Sequence, residues 1–136
     1  MNVSMTELLP VAGVTLLTGL MYFVMALRVA AAHTRSGIVA PQMTGDPILE
    51  RTVRAHVNTL EWMPIFLPAL WLFAIYWRVD VAAGLGLLWI VGRIVYFVGY
   101  VRSPSGRRPG FLIQVLAASV LLFGALGRVA YLMALG

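Results

Sequence analysis

The sequence has no cysteine and no lysine. The lack of cysteine excludes disulfides and thiolate metal sites, and it leaves the redox compartment unreadable. Charge is scarce as well. Of the 136 residues, 11% are charged and 61% are hydrophobic, where a soluble domain carries roughly a quarter charged residues. A chain so poor in charge does not need a large internal core, because lipid can cover its apolar surface. No soluble domain, low-complexity segment or convincing repeat is present, and a single domain over residues 1–136 is expected. All ten basic side chains are arginine, set against five acidic ones, for a net charge of +5. A basic balance can indicate nucleic acid, but these arginines lie beside apolar runs. They read as topology signals, headgroup contacts or anion ligands.

What the chain does have is long apolar runs. Leu8–Leu27 is uncharged. Trp62–Trp77 is short but continues an amphipathic segment that begins near Pro47. Val81–Val101 carries only Arg93, and Phe111–Leu135 only Arg128. At about 1.5 Å per residue, roughly 20 helical residues cross a hydrocarbon core about 30 Å thick. The expectation is an all-α integral membrane protein, a four-transmembrane-helix bundle with spans at about 7–31, 47–77, 80–102 and 109–135. The first run reads as a retained helix and not a secretory signal, since Met1–Glu7 has no positive charge and the run is too long. The first loop, about Arg28–Glu50, is rich in turn formers, and Asp46-Pro47 is a helix start. The second loop is tiny, and the third, RSPSGRRPG, cannot be regular helix throughout. Arginines cluster at the first and third loops. The positive-inside rule therefore puts those loops in the cytoplasm and both termini outside. Compact size and arginine bias fit a bacterial inner membrane.

Two polar stripes share that side. Glu50, Arg51, Arg54, Asn58 and Glu61 fall within roughly 100° of the second helix, and Arg93, Tyr96 and Tyr100 within roughly 60° of the third. His56 points away from its stripe. Charge in a bilayer costs about 2.5–3.5 kcal/mol per central residue, so such groups converge only with partners. Two readings fit. Arg54, Asn58, Glu61 and Arg93 satisfy one another and bolt the helices together. Alternatively they form an anion site, in which arginines hold carboxylates, Asn58 an amide, Glu61 an ammonium, and the tyrosines donate hydrogen bonds. A zwitterion with two carboxylates and peptide bonds suits that mixture. His33 and His56 lack partners at metal spacing, so no metal site is expected. Gly92 and Gly99 read as close helix packing, Pro64 and Pro68 as kinks in the second helix, and Arg128 as snorkelling or pairing with a neighbouring helix.

ERTVRAHVNTLEWMP (50–64) and GRIVYFVGYVRSPSGR (92–107) resemble the two signature regions of the MAPEG family, the membrane-associated proteins in eicosanoid and glutathione metabolism. The likeness extends over essentially the whole chain. It implies a bundle assembled as a homotrimer, with glutathione as co-substrate in a cytosol-facing crevice between subunits. A lipophilic co-substrate would arrive from the bilayer. On that resemblance Arg54, Asn58 and Glu61 bind glutathione, Arg51 assists, and Arg93, Tyr96 and Tyr100 line the same site. Arg28 corresponds to a first-helix arginine of the family. Arg107 aligns with the arginine that stabilises the glutathione thiolate. Trp62 stands where the family often has tyrosine, and His56 where glutamine is more usual.

The resemblance implies a membrane-bound glutathione transferase or peroxidase acting on lipophilic electrophiles or lipid hydroperoxides. Because the chain has no cysteine, the sulfur nucleophile must come from glutathione. The competing expectation is a non-catalytic lipid-binding or lipid-presenting member. A third is a small structural or transporter-accessory protein whose stripes are trimer glue. The apolar walls, including Phe66, Leu70 and Phe97, do not name the electrophile.

Overall fold

The computed structural model describes residues 2–136, and those residues contain helices and no strands. Helices α1 (Leu9–Ser36), α2 (Pro47–Tyr76), α3 (Val79–Arg102) and α4 (Arg108–Leu135) follow in order, with a 3₁₀ turn at Pro104–Arg107 joining the last two. The four helical stretches are each long and apolar enough to cross a membrane, the last counted together with the turn that leads into it.

Local chemistry explains the boundaries. Before α1, the Ser4 N–H donates to Glu7 Oε2 at 2.7 Å and the Glu7 N–H donates to Ser4 Oγ at 3.3 Å, a reciprocal capping arrangement. That backbone hydrogen bond from Ser4 holds the Glu7 carboxyl below its usual range. At α2, Asp46 accepts from the Leu49 N–H at 2.9 Å and Pro47 occupies the first helical position. Arg35 near the end of α1 also pairs with Asp46, tying the two helix ends together.

The first span runs further than hydropathy alone suggests. Apolarity weakens at Arg28, which set the expected loop there, yet α1 continues to Ser36. Val29–Ala32 are compatible with helix, and the real stop is Gly37. Its φ of 73° is left-handed, and its N–H donates to the His33 carbonyl at 3.0 Å. The Arg102–Gly110 connection is also tighter than expected. Only Ser103 takes an extended conformation before the 3₁₀ turn, and its Oγ accepts from the Gly106 N–H at 3.2 Å.

Helices α2 and α3 form the middle of the bundle, and α1 and α4 each pack against both. The contacts are mostly apolar, with Phe66 of α2 stacked on Trp89 of α3 at 3.9 Å between ring centres. Two tryptophans make polar contacts between helices. Trp89 Nε1 donates to Gln114 Oε1 of α4 at 3.0 Å, and Trp71 Nε1 donates to Thr15 Oγ1 of α1 at 2.9 Å. Two glycine contacts draw α4 and its turn onto α3. A side chain at Gly99 would run into the Gly106 carbonyl, and one at Gly110 into the Tyr96 backbone. At the opposite end, Arg128 donates to the Tyr76 carbonyl at 3.0 Å and covers the Tyr131 ring.

Candidate functional site

The site begins at Arg93. Its side chain is fully buried, the only charged side chain so placed among the described residues. Its Nη2 donates to Asn58 Oδ1 at 3.0 Å and to Thr59 Oγ1 at 2.7 Å, joining α3 to α2. The guanidinium lies 4.2 Å from the centre of the Tyr96 ring. Nε and Nη1 of Arg93 have no hydrogen-bond partner. Arginine can only donate, so this contact fixes which way the Asn58 amide faces. Its oxygen points to Arg93, and its NH₂ is left to donate elsewhere.

The remaining residues spread from this pair along the same end of the bundle. One turn to either side of Asn58, Arg54 Nη1 and Glu61 Oε1 approach within 3.8 Å, with their side chains 61% and 52% exposed. On α3 the rings of Tyr96 and Tyr100 lie 5.7 Å apart. The Arg107 guanidinium sits 5.1 Å above the Tyr100 ring, carried there by the 3₁₀ turn that Gly99 and Gly106 bring against α3. Phe111 of α4 completes an aromatic wall, 6.5 Å from Tyr96 and 6.0 Å from Trp62. The result is an open polar face on α2 and α3, floored by a buried cation and edged by exposed Arg54, Glu61 and Arg107.

Two arginines lie elsewhere. Arg51 Nε and Nη2 donate to the Val101 carbonyl at 3.2 and 3.1 Å. That carbonyl is in the last turn of α3, where helix carbonyls lack intrahelical donors, so Arg51 acts as a C-terminal cap. Arg28 lines a groove between α1 and α3, together with Arg35 and Arg102, and does not join the cluster around Arg93. His56 faces α1, where it stacks on Tyr22 at 4.2 Å. His33 Nδ1 lies 3.0 Å from the Ile38 carbonyl, a contact between the last turn of α1 and the start of the first connection. Thr59 was not singled out in the sequence. A helical threonine that also donates to the Ala55 carbonyl at 2.8 Å gives no outward signal of a second partner. The described residues contain no group of three or more His, Asp or Glu able to hold a metal ion.

The sequence matches the MAPEG family model over residues 11–127. The chain belongs to the MAPEG family. It is similar to an uncharacterised protein of Synechocystis sp., 42% identical over 121 residues, which is 89% of this chain and 88% of the relative. It is also similar to human microsomal glutathione S-transferase 2, 37% identical over 117 residues, or 85% of this chain and 80% of that protein. Bovine leukotriene C4 synthase is 36% identical over 126 residues, 92% of this chain and 84% of its own length. Family membership and the four apolar helices together make the chain a multi-pass membrane protein.

Proposed function

We propose that this MAPEG protein is a membrane-bound glutathione transferase, with Arg107 as the catalytic residue. The observation that carries the reading is the unsaturated polar face built on the buried Arg93–Asn58 pair. A packing rivet would close its own hydrogen bonds. Here the Asn58 NH₂ is free to donate, and Arg54 and Glu61 stay more than half exposed. The two relatives named for glutathione transfer or leukotriene C4 synthesis support the same reading.

Glutathione offers two carboxylates, two peptide bonds and an ammonium. Arg54 pairs with a carboxylate, Asn58 donates to a peptide carbonyl, Glu61 accepts from the ammonium, the half-buried Tyr100 donates at the edge, and the buried Tyr96 backs the site beneath it. Arg93 is a positioning residue that aims Asn58, and Arg51 positions the end of α3. A thiol with an ordinary pKa of about 8.5 is mostly protonated at neutral pH. The Arg107 guanidinium favours the thiolate, and exclusion of water strengthens that attraction. The thiolate then attacks an electrophilic carbon, forming a thioether as the leaving group departs with the bonding pair. With a lipid hydroperoxide, two glutathiones give the disulfide, an alcohol and water. The face is open on one side in the single chain, and the second wall is assigned to a neighbouring copy in a homotrimer. The arginine-rich end is assigned to the cytoplasm, of a bacterial inner membrane.

The test is turnover of detergent-purified protein with glutathione and an aryl halide, together with its mass in detergent. Expected are saturable conjugation, three copies per particle, and a KM for glutathione raised about tenfold or more in Arg54→Ala. A protein that binds no glutathione would move the chain to the lipid-presenting class.

A further inference from the structure

A groove between α1 and α3 encloses about 970 Å³, and none of Arg54, Asn58, Glu61, Tyr96, Tyr100 and Arg107 lines it. On α3 its centre lies roughly 120° round the helix from the arc of Arg93, Tyr96 and Tyr100, so it opens on a different flank. We propose that this groove holds an anionic phospholipid from the leaflet at the arginine-rich end. The phosphate lies on Arg28 and Arg102, and one acyl chain lies between the helices.

The groove has two chemically distinct parts. Leu17, Leu20 and Val24 of α1 face Ile90 and Ile94 of α3 along an apolar channel, Arg28 and Arg102 line its polar end, and Arg35 lies about 10 Å further along α1. The ion pairs among the described residues are Arg35–Asp46, Arg54–Glu61 and Arg78–Asp80, which leaves Arg28 and Arg102 without a carboxylate. Two unpaired guanidiniums at the head of an apolar channel match a phosphate joined to a hydrocarbon chain. Arginine binds phosphate oxygens in a two-pronged geometry, and basic pockets between membrane helices hold phosphate headgroups.

Depth decides between occupants. From Leu17 to Arg28 a helix rises about 16 Å, close to half of a hydrocarbon core about 30 Å thick. The apolar part below Arg28 therefore has the depth of one leaflet and ends near the midplane, while Ala31, Ala32 and Arg35 carry the groove on toward the headgroups. A transmembrane helix from a second copy would need a groove across the whole bilayer, whereas a lipid of one leaflet needs only this half.

The experiment is native mass spectrometry of detergent-purified protein mixed with phosphatidylglycerol or with phosphatidylcholine of the same chains. Phosphatidylglycerol is expected to be retained in preference. Arg28→Ala and Arg102→Ala should each reduce its retention about fivefold, while Arg78→Ala, at the other end of the bundle, leaves it unchanged. Ile94→Trp, which fills the channel, should expel the lipid while the protein keeps its normal elution and thermal unfolding. Equal retention of the two lipids overturns the proposal, as does undiminished phosphatidylglycerol binding in the Arg28→Ala, Arg102→Ala double variant. A disulfide-linked dimer of Ile94→Cys in membranes would place a second copy in the groove and also overturn it. None of these readouts depends on glutathione.

Discussion

Arg93 is the residue on which the two readings of the polar stripes divide. The sequence suggested that Arg54, Asn58, Glu61 and Arg93 could all neutralise one another. Instead Arg93 meets only neutral partners, Asn58, Thr59 and the Tyr96 ring, while Glu61 pairs loosely with Arg54. A buried cation without a carboxylate is a poor rivet, and replacing buried ions by apolar groups of similar size is often neutral or stabilising. Arg93→Met should therefore leave the thermal midpoint within a few degrees of the parent, or above it. The KM for glutathione should rise about tenfold as Asn58 loses its orientation. A variant that unfolds far earlier while binding glutathione normally would return Arg93 to a purely structural role. The arc shared by Asn58 and Arg93 was legible because a helical period of 3.6 residues fixes it. Thr59 and the cap formed by Arg51 were not, since both depend on which turn of α3 lies opposite.

At the scale of elements, the 3₁₀ turn matters most, because it sets where Arg107 stands. Gly99 and Gly106 meet backbone to backbone, and even one methyl would force the turn away. Gly99→Ala should lower kcat about tenfold with a smaller change in KM, since misplacing a catalytic group by about 1 Å can cost as much as 100-fold. Equal kcat in the variant would show that the turn need not be held there. The connection between α1 and α2 is a different device. The Asp46 carboxyl is held below its usual range, first by the Leu49 backbone N–H and then by Arg35. A carboxyl with a lowered folded value contributes its full stability above its ordinary range and loses it as pH falls through the folded value. Thermal unfolding should therefore show an acid-dependent loss that Asp46→Ala removes and Asp46→Asn removes while keeping the cap. An unchanged pH profile in both variants would contradict this. The cap itself could be read from Asp46-Pro47, because N-terminal signals are local. The true end of α1 was missed because hydropathy marks where lipid ends, and helix stops where Gly37 turns left-handed.

For the whole molecule, four apolar stretches of spanning length were evident from composition alone, because a bilayer imposes length and apolarity directly on the sequence. The order of packing, with α2 and α3 in the middle, was not, since lipid-facing and helix-facing apolar residues look alike. That order sets the functional layout. It leaves one open polar face on α2 and α3 and, on another flank, an arginine-headed groove between α1 and α3. On the proposed function, the polar face binds glutathione and Arg107 ionises it there. The most direct measurement is the ultraviolet difference spectrum on titrating glutathione into the detergent-purified protein at neutral pH, where the thiolate absorbs and the thiol does not. A saturable thiolate band is expected, and it should disappear in Arg107→Ala while glutathione still binds. No band in the parent protein, or the same band in the variant, would contradict it.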